Sequence, residues 1–453
     1  MGVASRPGGN APRRLTFRAN VLLSYGTNLA VAVLALVNIL IVARALGATG
    51  RGDVAFLSAI VYLTANLAAL GIHEANANVG AAEPERRPAL ATNSLVLALV
   101  FSALADAIVL GLVAVFPAVG GDVDQTLLLV SLATVPILIL QLYLQYLIQS
   151  DYRFVVTNIA WLLSPIVNVL VNGTFAALGT ITVGTAVITN LSGQALTSLV
   201  LVWYAARRFS GFGFGRPDLA LARRSLAFGL RSHAGRIMLL GNYRLDQWLL
   251  GAISGSRELG LYSVAVSWAE VLFYLPTALA SVQRPDLVRA GRRHAARHAA
   301  AVFRGAVILT ALLAAVLVAA APILCVTVFG EEFRGSIDDL RILALGGFGI
   351  VALKQLGNTL TAQRRPTLAS TAIGVGFVST VVLDVLLIPR YGGVGAALAS
   401  SLSYTVGGIA VVVIFSRTLG ISPAALLPRR ADVARLSRLG RDLARRAVPA
   451  WAR

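Results

Sequence analysis

Between Phe228 and Tyr262 a run otherwise apolar enough to cross a bilayer carries Arg231, His233, Arg236, Arg244 and Asp246. On an isolated membrane helix each charge near the bilayer centre costs roughly 2.5–3.5 kcal/mol on an insertion scale, so such groups turn toward partners, a wet cavity or an interface. His233, Arg236, Leu240, Arg244 and Gln247 recur at spacings of 3, 4, 4 and 3, which places them along one helix face. That face is a cationic stripe at membrane depth. Its chemistry is anion binding, because a planar guanidinium can hold two oxygens of a phosphate at once. Arg236 and Arg244 lead as substrate-binding candidates. The competing reading pairs them with intramembrane carboxylates. His233 could titrate beside them or be a satisfied histidine, and Arg231, close to the cytoplasmic end, can snorkel.

Lys354 is the only lysine and lies in the inner half of a later apolar run, beside Gln355 and one turn from Asn358. It is either a further cation for phosphate or sugar, or half of an ion pair with Glu270. The carboxylates Asp246, Glu270, Asp106 and Asp384 could load a coupling H⁺ or Na⁺, or balance the arginines. Arg244 and Asp246 stand two residues apart and do not face each other, so Asp246 needs a partner on another helix. Tyr143, Gln145, Tyr146, Gln149, Asn158, Trp161 and Asn168 are the aromatics and amides that could meet sugar, and they are equally ordinary in helix packing.

These residues need a scaffold, and the composition supplies one. Hydrophobic residues make up 57% of the 453, charged residues 13%, and mean hydropathy is +0.77, which excludes an ordinary soluble protein. Net charge is +19, but the basic clusters lie between long apolar runs, a topology signal rather than a nucleic-acid one. The lone Cys325, with apolar neighbours, excludes a disulfide within the chain and reads as an inert buried thiol. No Walker motif, metal-ligand spacing or nucleophile elbow occurs, so the reading is a protein without enzymatic chemistry, metal or cofactor.

Twelve spans are predicted, near 19–43, 53–79, 89–116, 126–149, 154–178, 181–205, 225–252, 259–282, 300–328, 340–362, 367–388 and 393–416. With both termini inside, the cytoplasmic segments collect nearly all arginines, while the outer loops receive only Arg44, Arg51, Arg257, Arg334 and Arg390. The halves repeat. Leu46-Gly47-Ala48-Thr49-Gly50-Arg51-Gly52 after the first span is echoed by Leu250-Gly251 with Gly255 and Gly260 after the seventh. Gly184-Thr185-Ala186 and Leu191-Ser192 are echoed 211 residues later by Gly395-Ala396-Ala397 and Leu402-Ser403. An even number of spans per half makes the repeats parallel, with substrate between them. The expected fold class is therefore an all-α polytopic membrane protein, with about twelve transmembrane helices in two pseudo-symmetric six-helix lobes around a central cavity. Its parts are a disordered basic tail over 1–18, an N-lobe over 19–205, a cytoplasmic linker over 206–224, a C-lobe over 225–416 and a basic tail over 417–453. In that tail Arg429 to Arg446 brings seven arginines, with Val433, Leu436 and Leu443 at helical spacing. The pattern fits an amphipathic helix on anionic lipid, or a frayed solvated tail.

Ala43-Arg44-Ala45-Leu46-Gly47 with Gly50, Gly52 and Leu70-Gly71 resembles the opening of the polysaccharide (O-antigen type) flippases. So do Asp246-Gln247-Trp248-Leu249-Leu250-Gly251 followed by Gly260-Leu261-Tyr262, then Phe329-Gly330-Glu331-Glu332-Phe333, and then Leu387-Ile388-Pro389 with Gly392 and Ser403-Tyr404. The resemblance covers nearly the whole chain in order. It implies the superfamily of multidrug, oligosaccharidyl-lipid and polysaccharide exporters, two lobes and alternating access. It also implies a lipid-linked oligosaccharide as substrate, with undecaprenyl pyrophosphate the usual bacterial carrier. One departure is Asp384, where that family usually has Asn. The first span carries Asn28 and Asn38 but no charge before Arg44, unlike the lipid II and drug branches.

The expectation is an inner-membrane flippase that moves an anionic lipid-linked glycan from the cytoplasmic to the outer leaflet. Its partners would be that lipid, membrane lipids at the tail and neighbouring glycan-assembly enzymes, with no nucleic acid. A multidrug exporter is the first rival, although a cavity lined with arginines repels cations. A glycan polymerase or ligase would carry a large outward loop, and none is evident. A non-transporting scaffold would not need the buried charges.

Overall fold

The computed structural model describes residues 17–209 and 215–434, and within these the chain is helical. Long apolar runs make helices because hydrocarbon offers the backbone no partner but itself. The first is α1 (Phe17–Ala68), bent at Gly47 into two crossings; its second crossing continues into α2 (Ile72–Ala82) past a break at Leu70 and Gly71. Next come α3 (Arg87–Val115), then α4 (Gln125–Leu132) and α5 (Val135–Ser150) end to end, α6 (Phe154–Ala177) and α7 (Val183–Phe209). The second half opens with α8 (Leu219–Ala269), bent at Gly255 and continued past Glu270 by α9 (Val271–Arg289). It closes with α10 (Arg292–Pro322) and a π-turn over Ile323–Thr327, α11 (Ser336–Ala362), and α12 (Pro366–Leu419), bent at Gly392.

Counting each bent helix twice and each interrupted one once gives twelve crossings. Among the described residues, seven helical segments are long and apolar enough to span by length and composition. Two of these, ending in α2's approach and at Leu419, are the bent α1 and α12. The crossings that fall short belong to α8, α9 and α11, the helices that carry Arg231, Arg236, Arg244, Asp246, Glu270 and Lys354. The predicted linker 206–224 is shorter than expected, because α7 runs to Phe209 and α8 starts at Leu219. The predicted tail helix falls mostly on residues 435–453, outside the described residues; a helical turn begins at Arg430.

The repeat is written into the backbone. Left-handed glycines recur in the two halves as Gly47 and Gly255, Gly121 and Gly330, and Gly179 and Gly392, each where the chain turns back at the end far from the termini. At Gly47 (φ 68°) and Gly255 (φ 84°) any other residue would be strained. Each bend also meets a carboxylate of the opposite lobe. A Cβ on Gly47 would lie 2.6 Å from Glu332 Oε2, and one on Gly255 would lie 3.0 Å from Asp122 Oδ2. Glu332 accepts a hydrogen bond from the Ala48 backbone N–H at 3.1 Å, capping the restarted helix, while Arg44 donates to the carbonyls of Val328 and Thr327 at 2.7 and 2.9 Å.

The lobes touch backbone to backbone at two levels. At the far end a Cβ on Gly52 would stand 1.7 Å from Ser256 O, and one on Gly260 would stand 1.8 Å from Ala48 O. At the near end a Cβ on Gly71 would lie 2.4 Å from Gly229 O. At 1.5 Å rise per residue these levels are roughly 28 Å apart, about one hydrocarbon thickness. Within the lobes packing also relies on small residues, such as Ala295, Ala299 and Ala306 of α10 against Ala352 and Ala372, as helix association without a hydrophobic drive requires.

On the cytoplasmic side expected from the arginines, Asp151 gathers Arg87 (2.9 Å), Arg208 (3.0 Å) and Arg153 (3.7 Å), tying three connections of the N-lobe together. Asp432 is held by Arg304 at 2.7 Å, and the same guanidinium donates to Ala425 O.

Two outcomes follow from this packing. Gly260→Val forces the far-end contact apart, so Ala48→Cys, buried in the parent, reacts faster with a membrane-impermeant maleimide; unchanged labelling counts against the contact. The hydrogen bond from Arg304 holds the Asp432 carboxyl below its ordinary value of 3.8. A depressed carboxylate contributes stability that is full above its unfolded value and is lost as pH falls through the lowered one. The anchor therefore persists across about pH 5–8, whereas Arg304→Gln releases it and accelerates tryptic cleavage at the exposed Arg429 and Arg430.

Candidate functional site

Between the two contact levels lies a cavity of about 660 Å³, inside the range of about 300–1,000 Å³ usual for small-molecule sites. Its walls come from both crossings of α1 and from α4 to α8, so it belongs mainly to the N-lobe and is closed on one side by α8. Three charges reach it: Arg51, Arg244 and Glu270. Arg244 Nη1 meets Glu270 Oε1 at 2.8 Å, each side chain 30% exposed into the opening. The break after Ala269 presents Glu270 there, because the chain leaves α8 and restarts as α9.

Arg51 is 8% exposed, and its Nε has no hydrogen-bond partner. It faces no carboxylate at salt-bridge distance among the described residues. By sequence it falls between the predicted spans 19–43 and 53–79, which assigns it to an outer loop. In the structure the turn is confined to Gly47, and the helix has already restarted. Its signal was available: Arg51, Ser58 and Tyr62 fall at helical spacing and all line the cavity. With Arg244 neutralised by Glu270, Arg51 is the cavity's uncompensated charge.

The predicted stripe on α8 splits. Arg244 and Gln247 line the cavity, while His233 and Arg236 face α1 instead. His233 Nε2 donates to Leu67 O at 3.0 Å and Arg236 Nη2 to Asn66 Oδ1 at 3.4 Å, beside the Gly71–Gly229 contact. These two therefore fasten the lobes at the near end. Arg231 is exposed. Lys354 lies off the cavity, its Nζ donating to Thr277 Oγ1 at 3.0 Å and sitting 5.7 and 5.8 Å from the Tyr243 and Phe273 ring centres. Glu270, the partner considered for it, is taken by Arg244.

The carboxylates divide similarly. Asp106 lies on α3 away from the cavity, with Oδ1 buried and unpartnered. Asp246 of α8 and Asp384 of α12 are both buried inside the C-lobe. Asp246 is 2% exposed; its Oδ2 accepts from Tyr262 OH and from Ser400 Oγ (3.0 Å), and its Oδ1 accepts from Gln247 N (2.7 Å). Its hydrogen-bond partners are thus two hydroxyls and a backbone N–H, not a guanidinium as the charge-balance reading required. Asp384 is fully buried, and neither of its carboxyl oxygens has a hydrogen-bond partner. Around the pair, Thr380 Oγ1 donates to Asn242 Oδ1 (2.8 Å) and Tyr404 OH to Asn242 O (3.0 Å). Two buried carboxyls with no cationic side chain bonded to them are neutralised either by a proton or by a cation from outside.

Of the residues considered for sugar contact, Trp161 and Asn168 stand on the cavity wall. Tyr143 is buried with its OH on Ala69 O (3.0 Å), and Asn158 bonds Ser24 (3.1 Å).

The family model described as "polysaccharide biosynthesis protein" matches residues 17–285, more than half of the chain. The chain belongs to that family. A curated relative, the probable flippase AglR of Haloferax volcanii, is 29% identical over 181 residues, a stretch spanning 37% of this chain and 37% of that protein. Among solved structures the chain is similar to the lipid II flippase MurJ in an inward-closed conformation. The TM-score is 0.72 at 14% identity, covering 90% of this chain and 89% of that one. It is also similar to an inward-facing multidrug resistance MATE family transporter of the MOP superfamily, with TM-score 0.69, 16% identity, and 86% and 94% covered. At these identities the likeness is one of fold: twelve crossings in two lobes around a cavity.

The charge arrangement makes a direct forecast. Glu270→Gln frees Arg244, so inorganic pyrophosphate binds the purified protein roughly fivefold more tightly or better, since a charge-assisted pair is regained. Arg244→Gln and Arg51→Gln weaken it. Calorimetry at two ionic strengths checks the order, and a Glu270→Gln protein that binds no better would remove Arg244 from the site.

Proposed function

We propose that this protein is a flippase that carries an anionic lipid-linked glycan across a bacterial inner membrane, from the cytoplasmic to the outer leaflet, by alternating access. The single observation that carries the reading is Arg51, a buried guanidinium on the cavity wall left without a carboxylate while its neighbour Arg244 is shared with Glu270. A fixed cation in a low-dielectric cavity has little reason to persist unless an anion visits it. A phosphate or pyrophosphate linking glycan to polyprenyl chain, such as undecaprenyl pyrophosphate, is that anion in a polysaccharide biosynthesis family. Arg51 and Arg244 would hold its oxygens, and Glu270 would release Arg244 as the phosphate arrives.

The Asp246–Asp384 pair is the proposed coupling site, taking a proton or sodium ion. Its elements, the first part of α8 and both parts of α12, belong to the lobe that must rock against α1. The near-end fastening of His233 and Arg236 to α1 would break in one half of the cycle and the Gly52–Gly260 contact in the other. The arginine asymmetry supports cytoplasmic termini. The cationic surplus of the cavity disfavours efflux of cationic drugs.

The test is leaflet translocation of a fluorescent undecaprenyl-pyrophosphate oligosaccharide in proteoliposomes under an imposed proton or sodium gradient. Arg51→Gln lowers the rate by about tenfold or more, the loss of one charge-assisted contact, and Asp384→Asn abolishes the response to the gradient. Translocation by Arg51→Gln at the parental rate would sink the phosphate assignment. Export of a cationic dye by the parent, with no lipid transport, would favour the drug-exporter reading.

A further inference from the structure

The cavity has a second wall that the phosphate does not use. Asn168 and Asn172 stand one turn apart on α6, and Asn190 and Gln194 one turn apart on α7. With Asn38 of α1 they form a ladder of amides facing one opening. Asn172 Nδ2 donates to Asn38 Oδ1 at 2.8 Å, and Asn168 Nδ2 points to Asn190 Oδ1 at 3.4 Å. The carbonyl oxygens of Asn168 and Asn172 are buried without any hydrogen-bond partner. Below them on α6, Trp161 turns a 45% exposed indole to the same cavity.

Unmet buried acceptors are destabilising, so a membrane helix pair that needed only packing would carry Ala, Ser or Leu here instead. An acyl chain offers an amide wall neither donors nor acceptors, a phosphate supplies only acceptors, and a cation is disfavoured beside Arg51. A neutral polyol supplies both donors and acceptors, spaced over a ring about as long as one helical turn of the ladder. The apolar face of such a ring also fits an exposed indole.

The counterpart wall of the C-lobe differs. There the comparable stretch of α12 holds Thr380, bonded to Asn242, and the unpartnered Asp384, both buried and away from the cavity. The two lobes thus carry different chemistry on equivalent helices.

We infer that the amide ladder of α6 and α7, with Trp161, is a saccharide subsite that holds the first sugar residues of the substrate while Arg51 and Arg244 hold the phosphate. The inference rests on the flippase reading and deepens it. It fixes one orientation for the headgroup, with sugar toward the N-lobe helices and phosphate toward α8.

The experiment compares two probes on the protein in nanodiscs, undecaprenyl pyrophosphate alone and the same lipid bearing one N-acetylglucosamine, glucose or galactose residue. The parent binds at least one glycosylated lipid more tightly than the bare one. Asn168→Leu with Asn172→Leu removes that preference, a loss of roughly tenfold or more, and leaves the bare lipid unchanged. Arg51→Gln weakens both. If the double variant fails to give a monodisperse protein, Trp161→Ala, at an exposed position, serves in its place with the same expectation. A parent that binds all the lipids equally, or a folded variant that keeps the preference, overturns the subsite while the flippase reading stands. A parent that binds neither bare nor glycosylated lipid overturns both.

Discussion

A guanidinium inside a bilayer must find a negative partner or wait for one, and this molecule is built around that requirement. Arg244 has Glu270, Arg87 and Arg208 share Asp151 at the membrane surface, and Arg304 has Asp432. Arg236 and His233 are content with an amide and a carbonyl across the lobe boundary. Arg51 has none of these. Its position beside the Gly52 contact sets the guanidinium on the cavity wall next to the lobe boundary. The opposite sign is left over in the C-lobe, where Asp384 is buried with both oxygens unpartnered. One lobe boundary therefore carries an unpaired guanidinium, and one lobe interior an unpartnered carboxyl.

Glycine sets how those unmet groups can be exposed in turn. Contacts as close as Gly52 with Gly260, and Gly71 with Gly229, depend on the helices staying in register; a gap of about 0.5–1 Å already forfeits a quarter to a half of their dispersion energy. Such contacts are strong when seated and release abruptly, which suits elements that must part and meet again. The breaks at Leu70–Gly71 and at Glu270 let the ends of the two crossings move without bending the whole helix.

Much of this was legible in the amino-acid sequence, and the division is physical. Apolar length gave twelve crossings, and recurring glycines gave the two halves, because both are local properties of the chain. Helical spacing put His233, Arg236, Arg244 and Gln247 on one face, and that holds. What spacing could not give is that α8 passes from contact with α1 to contact with the cavity along its length, so one face meets two environments. Arg51 was hidden by its place between two predicted spans, since apolar length does not say whether the helix pauses there for one residue or for several. Pairings such as Arg244 with Glu270 or Asp246 with Tyr262 join the two consecutive crossings of α8 across its bend, and spacing alone does not say which residues meet there.

The carboxylates at the bends carry a historical implication. Glu332 of the second half reaches Gly47 of the first, and Asp122 of the first reaches Gly255 of the second. Such reciprocity is what an isologous interface produces, where each subunit offers the other the same patch. A single six-crossing ancestor pairing with its own copy would have made both contacts with one glutamate or aspartate and one glycine. Joining such copies in one chain would free them to diverge, as the asparagines of α6 and the buried Asp384 of α12 have done. The present molecule is, on this view, a dimer whose subunits have become different from one another while keeping the handshake that first joined them.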